Sequence, residues 1–148
     1  MINNKIYILV LLLFLFTGCK PEQITDPVKV YTNWAGVKPT KDVEVINGFY
    51  WKSVQKVNSY ATFLELKPQK QWRDEFIKLN ECSITAHYDI PSDAPAWFKP
   101  RNDSTVIWKS SYGAVCWEDR TTGHLFILES VGAYLENDKE ANNQNTKD

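Results

Sequence analysis

The alternation of apolar and polar residues predicts a β-sheet in the middle of the chain. Residues 43–54 and 57–66 are rich in β-branched and aromatic side chains. In the second of these stretches one face carries Tyr60, Thr62, Leu64 and Leu66. Residues 82–90 alternate apolar and polar side chains without interruption, which indicates a third strand with one buried face.

The second half of the chain carries three further predicted strands. They lie near residues 105–110, 112–118 and 124–131. The last two are joined by residues 119–123, and Gly123 at the end of this loop suits the positive φ of a hairpin connection. The pattern therefore predicts consecutive antiparallel strands.

One segment has helical periodicity. After Pro68, the residues Trp72, Phe76 and Leu79 recur at helical spacing and share one face, which predicts an amphipathic helix over about 68–80. The elements together predict an α+β fold, a single small domain with a curved antiparallel sheet of about five to six strands and one packed amphipathic helix.

The two ends of the chain lack such periodicity. Residues 19–42 contain three prolines and are predicted to form a tether whose second half docks onto the domain or stays loose. Residues 136–148 contain one alanine and no other apolar residue, which predicts a disordered polar tail. The globular domain is therefore expected over residues 43–135.

The N-terminus has the pattern of a secretory signal. Lys5 precedes an unbroken apolar run from Ile6 to Phe16, and small residues follow. A helix of this length rises only about 16 Å, roughly half the hydrocarbon thickness of a bilayer. The run therefore indicates an export signal, and an uncleaved anchor or cleavage at another site remain alternatives.

The residues Phe16-Thr17-Gly18-Cys19 resemble the lipobox of bacterial lipoproteins, although these usually have Leu where this chain has Phe16. The resemblance implies that residues 1–18 are a signal peptide and that Cys19 is lipidated and becomes the mature N-terminus. It also implies a lipid anchor in the cell envelope. Asp directly after the lipidated cysteine resembles an inner-membrane retention signal. This chain has Lys20 at that position, which favours the outer membrane if the organism is diderm.

Charge and composition narrow the classes of partner. The net charge is −1 and no basic stripe is visible, which argues against nucleic acid. Aromatic residues make up 14% of the chain. Such residues either fill a small β-rich core or form a surface for peptide, glycan or protein contact.

Cys82 and Cys116 are the two cysteines left once Cys19 carries lipid. In an oxidising compartment we expect a disulfide between them, and two buried free thiols are the alternative. The two cysteines and the two histidines, His87 and His124, are scattered along the chain and match no known spacing of metal ligands. We therefore expect no metal and no other cofactor.

The sequence predicts no catalytic residues. His87 is expected on the solvated face of its strand, and His124 is expected to serve the turn before the last strand. Glu118 and Asp119 are adjacent in a strand and should point to opposite faces, which does not suit a glycosidase carboxylate pair. Asp119 is better explained as a stabiliser of the hairpin loop.

A proline-bracketed segment between residues 94 and 101 is the candidate binding element. It places Trp97 and Phe98 beside Arg101, and its prolines lower the entropic cost of presenting the rings. The two rings are either a hot-spot anchor for a partner or fold back onto the sheet.

These observations favour a lipid-anchored envelope protein that binds another protein, of the inhibitor, immunity or assembly-factor type. The alternative is binding of a cell-wall glycan or apolar ligand through exposed Trp and Tyr residues. A small envelope hydrolase is the third possibility. No residue pattern identifies the partner.

Overall fold

The described part of the chain forms one antiparallel sheet with two helices. The computed structural model describes residues 22–53, 59–100 and 103–132. In chain order the elements are β1 (Glu22–Ile24), α1 (Pro27–Ala35), β2 (Val43–Lys52), β3 (Tyr60–Pro68), α2 (Lys70–Leu79), β4 (Ser83–Thr85), β5 (Thr105–Lys109), β6 (Val115–Asp119) and β7 (Leu125–Val131).

The strands lie in the order β1-β2-β3-β7-β6-β5-β4, so β1 and β4 form the two edges. All neighbouring strands are antiparallel. This agrees with the α+β class expected from the sequence. The sheet has seven strands instead of five to six, and two helices are present instead of one, because β1 and α1 were not anticipated.

Helix α1 has start and stop signals in the sequence. Asp26 caps it by accepting a backbone hydrogen bond from Lys29 at 3.0 Å, and Pro27 occupies the first turn. Gly36 ends the helix in the left-handed conformation, at φ 71°. These features define a short helix between the first two strands.

Residues 22–42 are part of the folded unit. Val30 and Tyr31 of α1 are buried in the core, and Ile24 of β1 pairs with Tyr50 of β2. This corrects the predicted boundary at residue 43, because residues 22–35 of the expected tether form a strand and a helix that pack on the domain. The predicted signal peptide 1–18, the predicted start of the tether at Cys19 and the predicted tail 136–148 lie outside the described residues.

Gly48 in β2 lets α1 approach the sheet closely. A Cβ atom at this position would lie 2.9 Å from Pro27 Cα and 2.9 Å from Val30 Cβ. Carbon atoms pack at about 3.5–4.0 Å, so a side chain here would push the helix away. A β-bulge between Val45 and Asn47 precedes this contact.

Both faces of the sheet are covered. On the first face, α1 and α2 cover a cluster of buried side chains comprising Val30, Tyr31, Val43, Leu64, Leu66, Phe76, Cys116, Leu125 and Ile127. On the second face the buried cluster comprises Ala61, Phe63, Phe98, Val115, Trp117, Phe126 and Leu128. No helix contributes to this second cluster; the irregular segment after β4 covers it.

Helix α2 confirms the helix predicted over 68–80. Trp72 and Phe76 stack with their ring centroids 5.3 Å apart, and Phe76 is buried against the sheet. Leu79 was expected on the same buried face but is exposed. It is the last residue of the helix, and the chain turns at Asn80 toward the sheet edge.

The strand predicted over residues 82–90 is much shorter in the structure. Only Ser83–Thr85 pairs with β5. The chain then leaves the sheet edge, and Tyr88 and Ile90 pack against the second cluster. Their alternation therefore reflects burial of one side of an irregular segment, not pairing in the sheet.

Candidate functional site

The structure places the predicted aromatic anchor in the core. Phe98 is 2% exposed, and Trp97 is half-buried against the same cluster. The ring of Phe98 meets edge-on the rings of Phe63, Trp117 and Phe126, at centroid distances of 5.0, 5.6 and 5.6 Å. This corrects the hypothesis of Phe98 as a surface anchor in favour of the fold-back alternative. Arg101 lies outside the described residues.

Cys82 and Cys116 are free thiols in the structure, which differs from the predicted disulfide. Cys116 lies on β6, whereas Cys82 immediately precedes β4, and β5 separates these two strands. The Cys82 side chain nevertheless packs against the cluster that contains Cys116. Burial raises the pKa of both thiols, and that of Cys116 well above its usual value.

Asp119 stabilises the β6–β7 hairpin, as the sequence predicted. Its Oδ1 accepts hydrogen bonds from the backbone N–H of Thr121 at 2.8 Å and of Thr122 at 3.1 Å. The Ser104 hydroxyl donates to the same oxygen at 3.2 Å. Burial opposes ionisation of Asp119, but these hydrogen bonds together lower its pKa. Gly123 closes the loop at φ 73°.

Glu118 points to the opposite face, so the two carboxylates do not form a pair. Its Oε1 accepts from Arg73 of α2 at 2.7 Å, and its Oε2 accepts from the indole N–H of Trp108 at 3.0 Å. This buried carboxylate therefore links α2 to β5 and β6. Sequence reasoning missed the link because its three members are distant in the chain.

The two histidines lie in different surroundings. His87 is exposed, as expected, and its Nε2 lies 2.7 Å from Asp89 Oδ1. His124 is partly buried, and its Nδ1 lies 2.8 Å from Glu65 Oε1. Glu65 also accepts from Asn47 Nδ2 at 2.7 Å, so this network joins the middle of β2, the second half of β3 and the start of β7. It satisfies a buried carboxylate and extends the role expected for His124 beyond the turn.

Three large apolar side chains are exposed at the β4 edge of the sheet. Leu79 is 74% exposed, Ile84 is 65% exposed and Tyr112 is 74% exposed. The β5–β6 turn that carries Tyr112 is held to the end of α2, because the Ser110 hydroxyl donates to the Asn80 carbonyl at 3.1 Å. We call Leu79, Ile84 and Tyr112 the edge surface.

A cleft of about 570 Å³ opens on the other face of the same edge. It forms where the chain leaves β4, and its walls include Tyr88, Trp117 and Arg120. Thr105 Oγ1 also lines this region, and it is a buried side-chain oxygen without a hydrogen-bond partner within the described residues. The cleft thus combines aromatic walls with a cation, a hydroxyl group and the exposed His87–Asp89 pair.

Within residues 22–53, 59–100 and 103–132, no group of three or more His, Cys, Asp or Glu side chains is placed to hold a metal ion. No helix in this part of the chain is both long enough and apolar enough to cross a membrane.

Comparison with protein-family models, with curated proteins and with solved structures finds no match to this chain. The chemistry of its own surfaces is therefore what bears on its function.

Proposed function

We propose that the chain is a lipid-anchored protein of the bacterial envelope that binds another protein, with a binding and not a catalytic role. The lipobox-like residues ending in Cys19 support the anchor. The observation that carries the binding function is the edge surface, where Leu79, Ile84 and Tyr112 are each well over half exposed. Exposed large apolar side chains are candidates for interaction sites where they share one surface.

The backbone of β4 adds to this argument. Because β4 is the last strand of the sheet, its outer N–H and C=O groups have no strand partner within the described residues. Proteins commonly protect such an edge with Lys, with Pro or by keeping the strand very short; Ser83–Thr85 has neither Lys nor Pro, and its three residues limit the pairing to a short segment. An extended segment of a partner can therefore add an eighth strand here.

The two faces of this edge indicate the side chains that such a segment would carry. Side chains of an added strand alternate between the faces. Every second side chain of the added strand would lie over the apolar edge surface. The side chains between them would point toward the cleft that holds Trp117 and Arg120. Arg120 suits an acidic or amide side chain, because guanidinium groups donate several hydrogen bonds in one plane. The proposed partner is thus an extended segment with one apolar and one acidic face.

The experiment compares Ile84→Lys with Val37→Lys in the full-length protein. Val37 is a matched control, since it is 62% exposed and lies in the connection between α1 and β2. Each variant is used to recover partners from detergent-solubilised envelopes of the source organism, and affinity for the recovered partner is then measured. We expect Ile84→Lys to weaken binding by about tenfold or more, as at an interface hot spot.

The melting temperatures of both variants should match that of the unmodified protein, because both side chains are exposed. Equal recovery of the partner by the two variants would contradict docking at the β4 edge. Failure to recover any stoichiometric protein partner in repeated experiments would count against the protein-binding function itself.

A further inference from the structure

A second cavity lies between α1 and the sheet, near the opposite sheet edge from β4. Its volume is about 220 Å³, below the range of about 300–1,000 Å³ that holds drug-sized ligands. Its walls are formed by Asn33, Trp34, Tyr50, Tyr60, Thr62 and Glu129. Three aromatic rings therefore surround a single carboxylate.

The carboxylate of Glu129 is fixed in place by two neutral donors. Its Oε2 accepts from the indole N–H of Trp34 at 3.0 Å, and its Oε1 accepts from the Tyr60 hydroxyl at 2.6 Å. Glu129 stands in register with Thr62 and Tyr50 on the two neighbouring strands. The site is thus built on three adjacent strands and roofed by one helix.

The rings are held in defined positions before any ligand binds. Tyr50 and Tyr60 lie with their centroids 6.2 Å apart and their planes tilted by 33°. Trp34 packs against Tyr31 at 5.9 Å and against Phe76 at 5.8 Å. Such pre-organisation lowers the entropic cost of binding.

The negative charge of Glu129 has no cationic partner within the described residues. The ion pairs formed there involve other carboxylates. Lys52 stands opposite Tyr60 in the sheet register, but it is exposed and outside salt-bridge distance of Glu129. A partly buried carboxylate that is hydrogen-bonded only to neutral groups still attracts a cation.

We propose that this cavity binds a small organic ammonium group, such as a quaternary or protonated amine. Trp34 and Tyr60 turn their N–H and O–H edges toward Glu129, so the charge of Glu129 supplies the main attraction for the cation. The proposal is independent of docking at the β4 edge, because it involves α1 and the strands β2, β3 and β7.

The test measures binding to the full-length protein in a non-ionic detergent by ligand-observed NMR. The probes are choline and its uncharged carbon isostere dimethylbutanol, which has nearly the same shape. We expect saturable binding of choline and at least about tenfold weaker binding of the isostere, a difference that corresponds to one charge-dependent interaction. Glycerophosphocholine is a third probe. If it binds, a lipid headgroup can be the source of the cation; if choline binds and glycerophosphocholine does not, the ligand is a free amine.

Two variants separate the charge from the fold. Glu129→Gln keeps the size of the side chain and should weaken choline binding by about tenfold or more while the protein still unfolds cooperatively. Glu44→Gln removes an exposed carboxylate of β2 that does not line the cavity, and it should bind choline within about twofold of the unmodified protein. Equal affinity for choline and its isostere, an unchanged affinity in folded Glu129→Gln, or the absence of saturable choline binding would each overturn the proposal. Binding of a neutral sugar in place of choline would do the same.

Discussion

The substitution Phe98→Ala tests whether the proline-bracketed segment belongs to the core. The side chain is 2% exposed and meets three aromatic rings edge-on. Removing a buried Phe costs about 3–5 kcal/mol, from lost burial and from the cavity left behind. For a domain of this size, 1 kcal/mol lowers the melting temperature by about 4 °C, so we expect a decrease of about 12–20 °C.

Trp97→Ala is the matched control, because Trp97 is adjacent in sequence and only half-buried. The ring of Trp97 contacts the ring of Phe98, at a centroid distance of 5.8 Å. We expect it to cost about 1–2 kcal/mol, since a partly exposed side chain loses less burial. Thermal unfolding followed by circular dichroism and urea titration measure both variants. A loss for Phe98→Ala no larger than that for Trp97→Ala would refute the assignment of Phe98 to the core.

Three further predictions concern other parts of the fold. Gly48→Ala should destabilise the protein by about 1–3 kcal/mol in urea titrations, because the added Cβ would overlap helix α1. Burial and the hydrogen bond to Glu129 raise the pKa of Tyr60 to about 12. The stability that this shift contributes should be complete below about pH 10, the pKa of an unfolded tyrosine, and should be lost as the pH rises toward 12. Ultraviolet titration should show one tyrosine that ionises near pH 12, and this tyrosine should be absent from Tyr60→Phe. Cys116 should resist alkylation until the protein unfolds, whereas half-buried Cys82 should react slowly in the native state. Measurement of the intact mass after alkylation checks both expectations. If the two thiols react in denaturant only after a reductant is added, they form a disulfide instead.

The elements that the sequence predicted best are those with a strong local signal. Trp72 and Phe76 recur at helical spacing within a charged segment, and α2 forms there. Asp119 and Gly123 have the chemistry of a hairpin loop, and both act as such. In these cases the local preference and the tertiary environment agree.

The elements that the sequence did not predict depend on distant partners or on signals that were misinterpreted. Asp26, Pro27 and Gly36 mark the two ends of α1, but the prolines of this region also suit an extended tether. Strand β4 pairs with β5 only as far as Thr85. The alternation of apolar and polar residues continues beyond Thr85 and does not show where the pairing ends. A strand is defined by its neighbour as much as by its own residues.

The candidate sites were the least predictable part. The carboxylate of Glu129 meets Trp34 and Tyr60, which are 95 and 69 residues away in the chain. Nothing in the local sequence relates these positions. The edge surface was equally hidden, because Leu79 has the helical spacing of a core residue and its exposure follows only from the position of the helix end.

The strand order has a consequence for how the protein stands on a membrane. With Cys19 lipidated as proposed, only Lys20 and Pro21 separate the lipid from β1, and such a connection spans at most about 11 Å. The β1 edge is then confined to the bilayer surface. Six strand spacings place β4 about 29 Å across the sheet from β1. On these two proposals, the width of the sheet would separate the lipid from the proposed docking edge, and a flexible stalk would not be needed.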